Sequence, residues 1–244
     1  QRYYGRVDSD YLSVDPNKRS LAGLGTELSI RKGGGEHWVW STTYSDVSPG
    51  YETNDIGFEQ RADYRGVSTS VTYMEASPKK LQYYEVWSNQ LFAWNYDGDR
   101  INNNYNVGGY WRFQNLWSFN MNINGSFARV SDRLTRGGPV MKYNDDINFN
   151  FNINSNSAKR VSGGLGAFRR VDIGNEYDRY YWVNVNYRPT TYIQISLEPQ
   201  IGFEKDEDQY IKTVEDPLAT QTFGNRYVFS DIESVNLSAR WWKC

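Results

Sequence analysis

Trp117-Ser118-Phe119-Asn120-Met121-Asn122-Ile123-Asn124 places every apolar residue on one parity and every polar residue on the other. Successive side chains of a strand point to opposite faces, so this segment reads as a strand whose two faces meet different solvents. Ile147-Asn148-Phe149-Asn150-Phe151-Asn152-Ile153-Asn154 repeats the pattern. Weaker versions follow around Val67 to Tyr73, Tyr181 to Tyr187, Ile193 to Glu198 and Ser234 to Trp241. Helical spacing finds no comparable match.

Further strand centres fall near Val7, Leu24, Trp40, Val86, Val107 and Leu165. The sequence thus predicts an all-β chain, an antiparallel up-and-down transmembrane β-barrel of about twelve strands, either closed by itself or part of a larger barrel. Short connections (32–36, 77–80, 114–115, 155–159, 189–191) alternate with longer ones (47–63, 97–103, 131–139, 172–178, 205–225). Periplasmic turns and extracellular loops alternate in this way, and an even strand count puts both chain ends on the periplasmic side. A Greek-key sandwich has no reason to do so. Three residues run against the pattern. Asp231 and Glu233 share the apolar parity of the last segment and call for a bulge, or for a bilayer face that starts only at Val235. Pro199 sits in phase within a strand and calls for a bulge or an interruption, because it has no N–H for the ladder.

The apolar parity, including Phe119, Ile123, Phe149, Phe151 and Val185, is expected to face lipid. The opposite parity is expected to line the interior, with Asn120, Asn122, Asn124, Asn148, Asn150, Asn152, Asn184 and Asn186 as lumen-lining candidates. Those amides either line a polar path or satisfy one another and fill a narrow barrel. Aromatic residues gather at both strand ends: Trp38, Trp40, Trp111, Trp117 and Trp241 at one, Trp94 and Tyr181 at the other. Trp and Tyr pair an apolar ring with a polar tip, so two such bands suit the headgroup levels of a membrane.

Composition restricts the alternatives. The 244 residues are 16% aromatic but only 39% hydrophobic, and a net charge of -2 offers no single-sign field for nucleic acid. One Cys and one His leave little material for zinc, thiol or Ser/His/Asp chemistry. No cofactor is expected, and a hydrolytic enzyme ranks last. The mean hydropathy of -0.76 does not oppose a barrel, since a period of two averages out in any window. No run approaches the roughly 20 apolar residues of a membrane-spanning helix. Beginning at Gln1 with no signal segment, the chain reads as a mature protein or a fragment.

The acidic groups Asp97-Gly98-Asp99, Asn144-Asp145-Asp146 and Glu204 to Asp208 supply oxygen ligands without the spacing of a calcium loop, and read better as solvated loop charge. Gly163-Gly164-Leu165-Gly166-Ala167 lacks the helix and the Lys-Ser/Thr pair of a phosphate loop, so small strand residues explain it better. Glu52 and Asp55 have no identifiable catalytic partner, and a folded structural loop explains them better.

The run Glu36-His37-Trp38-Val39-Trp40-Ser41-Thr42-Thr43-Tyr44-Ser45-Asp46-Val47-Ser48-Pro49-Gly50-Tyr51-Glu52-Thr53-Asn54-Asp55-Ile56-Gly57-Phe58, followed by Arg61-Ala62-Asp63, resembles a bacterial family of unknown function. Arg226-Tyr227-Val228-Phe229-Ser230-Asp231 resembles the same family near its end. Members join an N-terminal carbohydrate-binding-like domain to a long outer-membrane barrel. The resemblance implies part of such a barrel, with no catalytic residues to carry over; the carbohydrate-binding-like domain and further strands are not in this sequence. The expected function is therefore a pore, transport or anchoring role in the bacterial outer membrane. Outer-membrane lipid is the expected partner, alongside outer-membrane or periplasmic proteins or glycans. The rival is a soluble extracellular β-sandwich that binds glycans through exposed aromatics.

Overall fold

The structure, a computed structural model, describes residues 5–52 and 61–243. Eleven long or medium strands form one antiparallel sheet: β1 (Gly25–Lys32), β2 (Trp38–Val47), β3 (Tyr64–Glu75), β4 (Leu81–Trp94), β5 (Arg100–Phe113), β6 (Ser118–Ser126), β9 (Asp146–Asn154), β10 (Val161–Asp172), β11 (Tyr177–Thr190), β12 (Ile193–Glu215) and β13 (Asn225–Lys243). Each pairs with its neighbour in sequence, except that a small hairpin of β7 (Val130–Ser131) and β8 (Met141–Lys142) sits between β6 and β9. A 3-10 turn at Thr220–Thr222 precedes β13, and no helix among the described residues is long and apolar enough to cross a membrane.

The all-β antiparallel meander therefore stands, but the closed twelve-stranded barrel does not. β1 and β13 pair only with β2 and β12, so the sheet is open. The segment near Val7 is not a strand: its flanking Arg6 and Asp8 are drawn into ion pairs and hydrogen bonds with residues 97–140, leaving no backbone ladder. The expected pairing of Val7 with Leu237 is accordingly absent. Eleven is an odd number, so β1 and β13 run in the same direction. β1 begins at the end of the sheet where β2 finishes, whereas β13 finishes at the opposite end, so the two chain ends are not on one side. The single sheet is also not a sandwich of two facing sheets.

We call the end carrying connections 33–37, 76–80, 114–117, 155–160 and 191–192 the turn end, and the other the loop end. Strict alternation of short and long connections fails. The loop-end links 95–99 and 173–176 are as tight as the turns, because Arg100 and Asn102 already pair with β4 and Asp172 with β9. The ladder of β12 and β13 runs past the last partner of β11, Lys205 opposite Tyr177, as far as Glu215 opposite Asn225, so this hairpin projects beyond the sheet.

Of the three discordant residues, Pro199 finds an explanation. Pro199 stays in register with Ala239 on β13, while on the β11 side the ladder skips from Trp182↔Gln200 to Val185↔Leu197, so its missing N–H interrupts one side only. Opposite Asp231 the register shifts between Asp206 and Gln209, but the extra residue lies on β12; β13 keeps its alternation, so Asp231 and Glu233 stay on the face of Val235 and the bulge expected there is absent from their own strand.

Candidate functional site

Register places the six asparagines of β6 and β9 opposite one another: Asn120↔Asn152, Asn122↔Asn150 and Asn124↔Asn148. All six lie on one face, since paired residues share a side of the sheet. A hub that the alternation did not single out, Asn106 of β5, links the row to β4. Its Oδ1 accepts from the Trp87 indole N–H at 3.0 Å and from Asn89 Nδ2 at 2.9 Å. Its Nδ2 donates to Asn122 Oδ1 at 2.7 Å and Asn124 Oδ1 at 2.5 Å, and Asn124 donates onward to Asn148 at 2.8 Å. Four strands are thereby stitched through their side chains. Asn184 and Asn186 stand on the same face two strands farther along, where Ser196 Oγ donates to Asn186 at 2.6 Å.

Two indoles belong to this polar face rather than to the aromatic bands. Trp87 lies over Gly108, where an added Cβ would stand 2.6 Å from the ring, and Trp182 lies over Gly166, where the gap would be 2.2 Å. The Gly163 to Ala167 run is thus strand β10, its small residues making room for a ring and for Asn154.

The opposite face carries Val107, Ile123, Ile147, Val183, Leu197 and Leu237, exposed by between 42% and 80%. Of the band residues, Trp38, Trp40, Trp111, Trp117 and Trp241 lie toward the turn end, while Trp94 and Tyr181 lie toward the loop end. Rings pack along the bands, as in Trp111 on Phe119 at 5.5 Å and Trp38 on Tyr73 at 5.0 Å.

Burial is inverted relative to a soluble domain. Among the described residues only Ala62 and Ala93 are buried hydrophobics, whereas Asp63, Asn95, Asp132 and Thr135 at the loop end are almost fully enclosed. Sequence-distant segments meet there. Arg6 pairs with Asp8 at 2.9 Å and with Asp99 at 2.6 Å, and Asp8 accepts from the Val140 N–H at 2.7 Å. Tyr11 donates to Asp63, Arg61 pairs with Asp132, and Asn95 Nδ2 donates to Asp132 at 3.2 Å. Residues 5–24 therefore strap Ser48, Asp63 and the loops 95–99 and 127–145 together.

Charge is distributed unevenly within this cluster. Burial, reinforced by the like charge of Asp132, raises the Asp63 carboxyl above its ordinary value despite hydrogen bonds from Tyr11 and the Tyr96 N–H. Burial would raise Asp132 as well, but the hydrogen bond and charge of Arg61 outweigh it and hold that carboxyl low. The loop acids considered as calcium ligands are engaged by protein groups: Asp99 and Asp97 by Arg6, Asp146 by Arg129, Asp145 by the Ala128 N–H, and Glu207 by Lys205. No group of three or more His, Cys, Asp or Glu side chains among the described residues could hold a metal. Asp55 lies outside the described residues.

A family model for a domain of unknown function, DUF5916, matches residues 2–242. The chain belongs to that family. No curated protein and no solved structure matches it. The DUF5916 match covers almost the whole sheet, strap and loop-end cluster included, and carries no assigned chemistry.

Proposed function

We propose that this chain forms wall of an outer-membrane β-barrel, with its apolar face in lipid and its asparagine face toward the interior, serving passage or anchoring. One observation carries the reading: the sheet leaves its apolar face uncovered. The accessible surface is 15776 Å² for 28.4 kDa, against about 11000 Å² for a soluble monomer of that mass. Each large aliphatic side chain left in water forgoes roughly 1.5 to 3 kcal/mol, whereas hydrocarbon restores that term. The unpaired edges of β1 and β13 require partner strands in lipid, where each unsatisfied backbone group costs several kcal/mol. The family resemblance, to proteins with long barrels, supports the same conclusion. The strap and loops crossing the loop end make it the narrowest part of any passage, and the outer contact surface for proteins or glycans.

Site-directed spin labels test this in a Cys244→Ser background refolded into phosphatidylcholine vesicles. Labels at Ile123, Phe151 and Val185 should be relaxed by oxygen dissolved in lipid, and labels at Asn122, Asn150 and Asn184 by a water-soluble nickel chelate. Equal accessibility of both sets to the chelate would overturn the membrane reading.

A further inference from the structure

The two ends of the sheet differ in their balance of charge. At the loop end Arg6, Arg61, Arg65, Arg129, Arg170 and Arg226 each pair with a carboxylate, while Arg100, Lys142, Arg169 and Lys212 make no ion pair among the described residues. At the turn end, Lys32, Lys79, Lys80, Arg112, Lys159 and Arg160 make no ion pair among the described residues. The acidic residues of that half are Glu36, Glu75, Glu85 and Glu198, and the nearest approach to an ion pair there is His37 Nδ1 to Glu75 at 3.4 Å. The turn end thus has a surplus of positive charge that the protein leaves unbalanced.

Part of that charge is held in place. Arg188 donates from Nε to Gln194 Oε1 at 2.8 Å and from Nη1 to the Ser157 carbonyl at 3.3 Å, two neutral acceptors that orient the guanidinium without neutralising it. It lines a groove of about 550 Å³ with Lys159, Arg160, Thr190, Thr191 and Tyr192. Gln194 in turn donates to Ser196, which donates to Asn186, so the Arg188 guanidinium is held on the asparagine face, opposite to Val161 and Tyr187. Lys79 and Lys80 follow directly on the Tyr73 and Tyr84 level. Cations one step beyond interfacial rings stand at the depth of lipid phosphates.

We propose that the turn end binds anionic phospholipid headgroups of the leaflet it meets, through its unpaired cations Lys32, Lys79, Lys80, Lys159 and Arg160 beside the aromatic band. The inference rests on the membrane reading and adds a lipid preference to it. Flexible cations at the level of interfacial rings suit the phosphate of a diester headgroup.

The test compares spin-labelled phosphatidylglycerol with spin-labelled phosphatidylcholine at the surface of the protein in phosphatidylcholine vesicles. The natural chain should favour phosphatidylglycerol several-fold, up to about fivefold for each cation engaged, and less at high salt. The variant Lys79→Gln, Lys80→Gln, Lys159→Gln, Arg160→Gln should lose that preference, while Arg226→Gln at the loop end should keep it. Insertion into the vesicles with equal association of both lipids, or a preference unchanged in the fourfold variant, overturns this inference alone. Failure to insert at all overturns the membrane reading and the inference with it.

Discussion

Phe151 and Asn150 are adjacent residues of β9 on opposite faces, and arginine at each should separate the two solvents. Phe151 pairs in register with Met121 and Ala167, and its ring lies 5.8 Å from that of Phe149. Four residue steps separate it from the turn that begins at Ser155, roughly 13 Å along the strand, farther than an arginine head can snorkel to water. Phe151→Arg should then cost about 2 to 4 kcal/mol for charge at mid-bilayer, with about 1 kcal/mol more for the lost ring contact. Phe151→Ala isolates the second contribution. Asn150 faces Asn122 and Phe168 across the ladder, so Asn150→Arg stays in polar surroundings and should cost under about 1 kcal/mol. Reversible urea unfolding in lipid vesicles, followed by tryptophan emission, gives both values by linear extrapolation. A loss for Asn150→Arg equal to or larger than that for Phe151→Arg would refute the assignment of faces.

Gly108→Ala should destabilise by about 1 to 3 kcal/mol, because the new Cβ would stand 2.6 Å from the Trp87 ring and 2.5 Å from Asn122 Oδ1; an unchanged urea midpoint would contradict the stitched polar face. Acid should release the N-terminal strap. Burial tends to raise Asp8 and Asp132, but Arg6 and the Val140 N–H at the first, and Arg61 and Asn95 at the second, hold both low. Carboxyls depressed in this way contribute stability above their ordinary value of 3.8 and lose it as pH falls through the folded value. Asp63, raised by burial, acts in the opposite sense: it favours the folded state as pH falls, so Asp63→Asn should deepen the acid loss. A dye at Ser13 should gain mobility below that range, and anisotropy that stays flat down to about pH 2 would refute the strap.

The parts of the fold legible in sequence are those whose causes are local. Ser118 to Asn124 and Ile147 to Asn154 carry a clean period of two, and they became neighbouring strands with asparagine facing asparagine. Asn106 followed the same parity between Tyr105 and Val107, so the hub of the network was readable in principle. The length of β12 was hidden because bulges near Asp206 and Tyr210 break the parity that marks a strand, whereas the unbulged β13 begins at Asn225, where the connection expected over 205–225 ends. The strap was hidden for a different reason. Arg6 meets Asp99, Arg61 meets Asp132 and Asp8 meets Val140 across long stretches of chain, and no periodicity records such partners.

The odd number of strands in the sheet also has an arithmetical consequence for assembly. A wall in which every neighbour is antiparallel needs an even count, so eleven strands can be completed only by an odd number of others. Two copies in the same orientation would add eleven to eleven and reach an even total, yet both seams would join a β13 to a β1 that run the same way. Self-pairing therefore produces two parallel seams, and an all-antiparallel cylinder must draw its remaining staves from strands unlike this set.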